Sequence, residues 1–76
     1  MKELVAHIAQ SLVDQPDQVH VGQTENDDTF AVELSVAQED LGKVIGKQGR
    51  TARAMRSLLA AAAAREDKKS RLDILE

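Results

Sequence analysis

The residues best suited to chemistry lie in one stretch, Lys43 to Arg50, which reads Lys-Val-Ile-Gly-Lys-Gln-Gly-Arg. Two glycines, Gly46 and Gly49, frame a Lys-Gln pair, and a helical pattern begins directly after them. Glycine lets a backbone turn sharply and lie close to a ligand because it has no Cβ. A helix N-terminus adds free N–H groups and a positive dipole end, which favour phosphate. Lys47 and Arg50 add full positive charge, so the stretch predicts a clamp for a phosphate backbone.

Catalytic motifs are absent from the sequence. His7 and His20 have no serine or carboxylate at motif spacing, and neither H-x-x-x-H nor C-x-x-C occurs. The glycine pair is followed by Arg50-Thr51 and does not fit the nucleotide-binding pattern G-x-x-x-x-G-K-[ST]. The chain has no cysteine, which excludes disulfides and thiolate zinc sites. We therefore expect neither enzyme activity nor a cofactor.

Charge is distributed unevenly along the chain, whose net charge is −3. Positions 1–42 carry one base and nine acids, whereas positions 43–76 carry nine bases and four acids. Between Lys43 and Arg56 there are five bases and no acid. A local basic segment matters more for nucleic-acid binding than the total charge does. A basic helix face that is merely solvated is the alternative interpretation.

The length of 76 residues suits a single small domain over positions 1–76. Phe30 is the only aromatic residue, so the core must be mainly aliphatic. No apolar run approaches the ~20 residues of a membrane span. The N-terminus also lacks a basic region followed by an apolar core. We therefore expect a cytoplasmic protein with no membrane contact.

The first half of the chain predicts one helix and a hairpin. Apolar residues recur at helical spacing from about Lys2 to Val13, and the following Asp-Gln-Pro-Asp ends the helix. Alternation predicts a short strand at roughly 18–25 and a longer one from Thr29 to Val36. The intervening Asn26-Asp27-Asp28 is typical of a turn, so the two strands should pair.

The second half predicts two helices and a final strand. A short helix fits Gln38 to Ile45 and a longer one fits Arg50 to Arg65, with the glycine pair between them. The longer helix has an apolar side formed by Ala52, Met55, Leu58, Leu59 and Ala62. Its basic side is formed by Arg50, Arg53 and Arg56. Leu72 and Ile74 mark the final strand. The element order predicts an α+β fold with helices on one face of a sheet.

The run Val-Ile-Gly-Lys-Gln-Gly-Arg resembles the GXXG loop of a KH domain. A lone G-x-x-G recurs by chance, but here about seven positions match and a helix lies on each side. Taken with the element order, the chain resembles the small bacterial KH proteins of the KhpA (YlqC-like) family. The resemblance implies a type II KH domain of order α-β-β-α-α-β, with a three-stranded mixed sheet. It places the GXXG loop at residues 46–49, between the two central helices.

The same resemblance implies a site for single-stranded RNA. Its residues are Ile45, Gly46, Lys47, Gln48, Gly49, Arg50 and Arg53. In the family, the nucleobases lie in a groove with an apolar floor, which corresponds here to Ile45 and the facing side of the strand Phe30–Val36. The same residues are required in the hydrophobic core whether or not RNA binds. The chain has no Tyr or Trp to form an aromatic stacking platform. Bases would be held by aliphatic contacts and hydrogen bonds, which predicts weak binding of low specificity.

The family resemblance further implies an RNA chaperone or post-transcriptional regulator, linked to cell elongation, division and envelope homeostasis. It implies a homodimer, or a complex with a larger KH protein of the KhpB (Jag) type. The alanine run Ala60–Ala64 fits either plain helix propensity or close approach of a second copy. The alternative function is a protein-interaction adaptor in which RNA contact is secondary. A binder of small nucleotides is less favoured, because the bases form a stripe and not a closed pocket.

Overall fold

The computed structural model describes residues 2–75 and has the order α-β-β-α-α-β. Its elements are α1 (Lys2–Leu12), β1 (His20–Glu25), β2 (Thr29–Ser35), α2 (Leu41–Ile45), α3 (Arg50–Ala64) and β3 (Lys69–Ile74). Short 3₁₀ turns occupy Pro16–Gln18, Gln38–Asp40 and Lys47–Gly49. The expected order is confirmed, with small changes at the ends. Because Pro16 begins a 3₁₀ turn, β1 starts two residues later than predicted.

The three strands form one mixed sheet in the order β1-β2-β3. β2 lies in the centre, antiparallel to β1 and parallel to β3. Leu34 lies opposite Val21 on one side and Ile74 on the other. A parallel pair needs a crossover connection, and here α2, the glycine loop and α3 supply it. The sheet therefore fixes both ends of the segment that contains the candidate site.

The helices cover one face of this sheet. The β2 side chains Phe30, Val32 and Leu34 are at most 4% exposed, and the alternating residue Glu33 faces solvent. The core beneath the helices is completed by Val5, Ala9, Val44, Met55, Leu59 and Leu72. The predicted one-sided arrangement is confirmed. Among residues 2–75, no helix is both long enough and apolar enough to cross a bilayer.

The prediction for Leu58 is wrong. The helical pattern predicts Leu58 on the apolar side of the longer helix, but its side chain is 50% exposed, and Ala63 is buried instead. The buried arc of α3 runs through Ala52, Met55, Leu59 and Ala63. Successive helical residues are ~100° apart, so Leu58 falls at the edge of that arc. It leaves a large apolar side chain on the surface of α3.

Helix α3 ends in a Schellman motif. The Lys68 N–H donates to the Ala63 carbonyl at 3.0 Å, and the Asp67 N–H donates to the Ala64 carbonyl at 3.1 Å. Asp67 has φ 56, the left-handed conformation that glycine usually supplies at this position. Aspartate is tolerated there at a cost, and its charge also opposes the negative end of the helix dipole.

We expect Asp67→Gly to stabilise the fold. The substitution removes the left-handed penalty and the unfavourable charge, which should together raise the free energy of unfolding by roughly 0.5–1 kcal/mol. For a domain of this size that corresponds to a rise in Tm of about 4 °C. Asp67→Ala is the control, since it removes the charge but keeps the strain. An alanine variant as stable as the glycine variant in thermal unfolding would contradict this account.

Candidate nucleic-acid interface

The glycine loop is built from left-handed residues. Gly46 has φ 79, Gln48 φ 59 and Gly49 φ 74. The Gly46 N–H donates to the Gly42 carbonyl at 2.9 Å and closes α2, and the Gly49 N–H donates to the Gly46 carbonyl at 3.0 Å. This backbone path turns the chain from α2 directly into α3 while leaving the tip in solvent.

The two glycines are required for different reasons. A Cβ on Gly46 would lie 2.3 Å from Thr51 Oγ1 and 2.8 Å from the Thr51 nitrogen, closer than atoms can approach. A Cβ on Gly49 would meet no described atom within 4 Å other than its chain neighbours. Gly46 is therefore fixed by packing against α3. Gly49 leaves the backbone open to an approaching ligand.

Four predicted site residues converge at this tip. Lys47 and Gln48 are exposed, and the Lys47 ammonium group forms no hydrogen bond or ion pair with any of the described residues. Arg53 Nη2 donates to the Gln48 backbone carbonyl at 3.2 Å. Arg50 Nη2 lies 3.5 Å from the Gln48 side-chain oxygen, a long contact. The charges of Lys47, Arg50 and Arg53 are thus gathered on one surface.

Helix α3 adds a dipole to these charges. It has 15 residues, starts at Arg50 and carries no acidic residue in its first turn. Its N-cap residue is Gly49, so no side chain caps the first N–H groups. Such an end favours an anion. The geometry therefore suits a phosphate group lying against Gly49 between the basic side chains.

Two bases counted in the sequence are already engaged. Lys43 forms an ion pair with Asp14 and lies 3.6 Å from Asp40, and the hydrogen bond with Asp14 raises the pKa of its ammonium group. Arg56 donates Nε and Nη2 to the Leu72 carbonyl, each at 3.4 Å. Of the five bases between Lys43 and Arg56, the three that remain close to the glycine loop are Lys47, Arg50 and Arg53. Arg56 is exposed, as the helical pattern predicts, but its guanidinium is turned toward β3 and away from the loop.

The proposed apolar floor is mostly closed. Phe30, Val32 and Leu34 on the facing side of β2 are buried beneath the helices, so a base has no access to them. Ile45, at the end of α2, and Val36, just after β2, are half-buried and reach the surface. Of the floor suggested by the resemblance, these two remain available.

Asp40 supports the site and was not recognised from the sequence. Its side chain is buried, with 1% of the residue exposed, and its Oδ2 accepts the Gln15 backbone N–H at 3.0 Å. Together with Lys43, it joins the segment after α1 to the start of α2. In the sequence it was one of nine acids in the first half, favourably placed at a helix start. Nothing in the spacing distinguishes the buried one.

Comparison with known proteins adds a family match. The model for the KH domain of KhpA and KhpB matches residues 2–74. "RNA-binding protein KhpA" of Halalkalibacterium halodurans is 53% identical over 76 residues, which is 100% of both chains. The protein of the same name from Clostridium perfringens is 52% identical over 99% of this chain and 100% of its own. That from Chlamydia trachomatis is 46% identical, over 100% of this chain and 97% of its own.

We expect Gly46→Ala to destabilise the domain more than Gly49→Ala. At Gly46 the new methyl group meets Thr51 as well as the left-handed penalty, which should cost about 2 kcal/mol or more. At Gly49 only the penalty applies, about 1 kcal/mol. Urea unfolding of both variants compares them directly. Equal losses would mean that the contact with Thr51 relaxes without cost.

Proposed function

Because the chain belongs to the KhpA/KhpB family of KH domains, we propose that it binds single-stranded RNA at the loop Gly46–Gly49. The observation that supports this most is the gathering of Lys47, Arg50 and Arg53 around an open glycine backbone at the N-terminus of α3. The names of the full-length relatives support the same ligand.

In this proposal the loop holds the RNA backbone. A phosphate lies against Gly49, with Lys47 and Arg50 supplying charge and the Gln48 amide supplying a hydrogen bond. Ile45 and Val36 provide aliphatic contact for a neighbouring base. Lys47 and Arg50, the two cations assigned to phosphate, correspond to a salt slope of roughly −1.4 for a single strand. Binding should therefore be weak and sensitive to ionic strength.

The family match also supports a proposal for the cellular role. We propose a cytoplasmic, non-enzymatic RNA chaperone or post-transcriptional regulator that acts with a KhpB (Jag)-type partner. Links to cell elongation and envelope homeostasis belong to the same proposal. The match to a family model that spans both KhpA and KhpB supports a shared KH module in the two proteins.

Leu58 favours a second role, association with another KH protein. Its side chain is half exposed, and the neighbouring Ala61 is exposed on the same helix. A large apolar residue beside small ones allows another helix to approach closely. We propose that this surface pairs with a second copy or with the KhpB-type partner. The alternative function, a protein-interaction adaptor in which RNA contact is secondary, would use the same surface around Leu58.

The double variant Lys47→Asp, Gln48→Asp should abolish binding of single-stranded RNA without unfolding the domain. Both side chains are exposed at the tip, so the core is untouched, while the new charges repel phosphate. Filter binding at two salt concentrations, with circular dichroism, measures both effects.

The control for this variant is Lys2→Asp with Gln10→Asp, which changes the net charge equally on the exposed side of α1. It should bind RNA with at most about a twofold loss. Unchanged affinity in the loop variant, or an equal loss in the control, would show that binding is not centred on the loop.

Leu58→Gln should weaken self-association and leave the RNA loop intact. Glutamine is a good helix former, so α3 persists while the apolar contact is lost. Sedimentation at micromolar concentration should show a dimer for the wild type and for Arg50→Ala, and a monomer for Leu58→Gln. Leu4→Gln, a similar exposed leucine on α1, is the control. A wild type that is monomeric over a wide concentration range would shift the proposal to the KhpB-type partner alone.

A further inference from the structure

Arg53 contacts the backbone of the loop. Its Nη2 donates to the Gln48 carbonyl at 3.2 Å, and Gln48 has φ 59 and ψ 25. We propose that Arg53 is a positioning residue, which holds Gln48 in this left-handed conformation, and that it does not contact phosphate. The proposal rests on RNA binding at the loop and assigns one of its residues a different task.

The peptide unit between Gln48 and Gly49 is held at both ends. Its carbonyl accepts from Arg53, and its N–H, which belongs to Gly49, donates to the Gly46 carbonyl at 3.0 Å. Gly49 has no Cβ to oppose rotation of this unit. Without Arg53, the peptide could turn its carbonyl oxygen toward the phosphate site, where it would repel the anion. The hydrogen bond from Arg53 favours the orientation that suits RNA.

Among residues 2–75, Arg53 is the one side chain that holds the carbonyl of this peptide, whereas its N–H is held by the Gly46 carbonyl. The Arg50 guanidinium reaches the Gln48 side-chain oxygen at 3.5 Å and forms no hydrogen bond with the Gln48 carbonyl. Arg53 lies on α3 between Ala52, 3% exposed, and the buried Met55, which anchor the helix in the core. The guanidinium therefore extends from a fixed base to a loop that is otherwise rich in glycine.

The role can be measured first on the protein without RNA. In ¹⁵N-labelled protein, Arg53→Ala should shift and broaden the amide resonances of Gln48 and Gly49, because the peptide is released. Arg50→Ala should leave these amides nearly unchanged. Unchanged loop resonances in Arg53→Ala would overturn the proposal.

RNA affinity as a function of salt separates positioning from phosphate contact. Arg53→Ala should weaken binding about fivefold, the size expected for loss of one exposed charge-assisted bond, with the same salt slope as the wild type. Arg53→Lys keeps the charge and should show a similar loss. Arg50→Ala should reduce the magnitude of the slope by about 0.7, as expected for one lost phosphate contact.

A substitution at Gln48 should restore the RNA affinity that Arg53→Ala loses. Asparagine adopts the left-handed conformation more readily than glutamine does. In the Gln48→Asn background, Arg53→Ala should therefore cost less than about twofold. A salt slope reduced as in Arg50→Ala, with no rescue, would overturn the positioning role but leave the proposed function standing. A wild type that binds no RNA would overturn both.

Discussion

The close contact between Gly46 and Thr51 is the constraint on which the site depends. A Cβ on Gly46 would lie 2.3 Å from Thr51 Oγ1, so the end of α2 and the start of α3 touch with no room for a side chain. Val44 and Ala52 are buried on either side of this contact. The core thereby fixes both helices up to the loop. Between the two helices, the short tip that carries Lys47 and Gln48 projects into solvent.

Charge pairing neutralises several of the bases that lie away from that tip. Lys43 is neutralised by Asp14, Lys68 pairs with Glu25 and lies 4.6 Å from the centre of the Phe30 ring, and Arg71 contacts Asp73. These bases stabilise the fold locally and contribute little to an external field. The acidic first half of the chain repels RNA elsewhere. An acidic protein can therefore carry a local basic surface at the loop.

The sequence predicts the architecture better than it predicts which surface is exposed. Alternation in β2 and the glycine pair are local signals, and both the strand and the loop position follow from them. The exposure of Leu58 depends on the exact arc of α3 that faces the sheet, which a helical pattern specifies only to within one position. The burial of Asp40 and the turn of Arg56 toward Leu72 arise from tertiary contacts between distant segments. No local pattern encodes such pairs.

The proposed self-association would raise the affinity of the proposed RNA site. The proposed site consists of three bases and two half-buried aliphatic residues, and the chain has no Tyr or Trp on which a base could stack. Two linked sites bind one strand with an effective concentration that raises affinity without any new contact. Leu58 lies eight residues beyond Arg50, or ~12 Å along α3 at the helical rise, so a partner there leaves the loop accessible. The proposed pairing through α3 and the proposed RNA binding at its N-terminus are therefore compatible, and the two loops of a dimer would bind one strand more tightly than a single loop does.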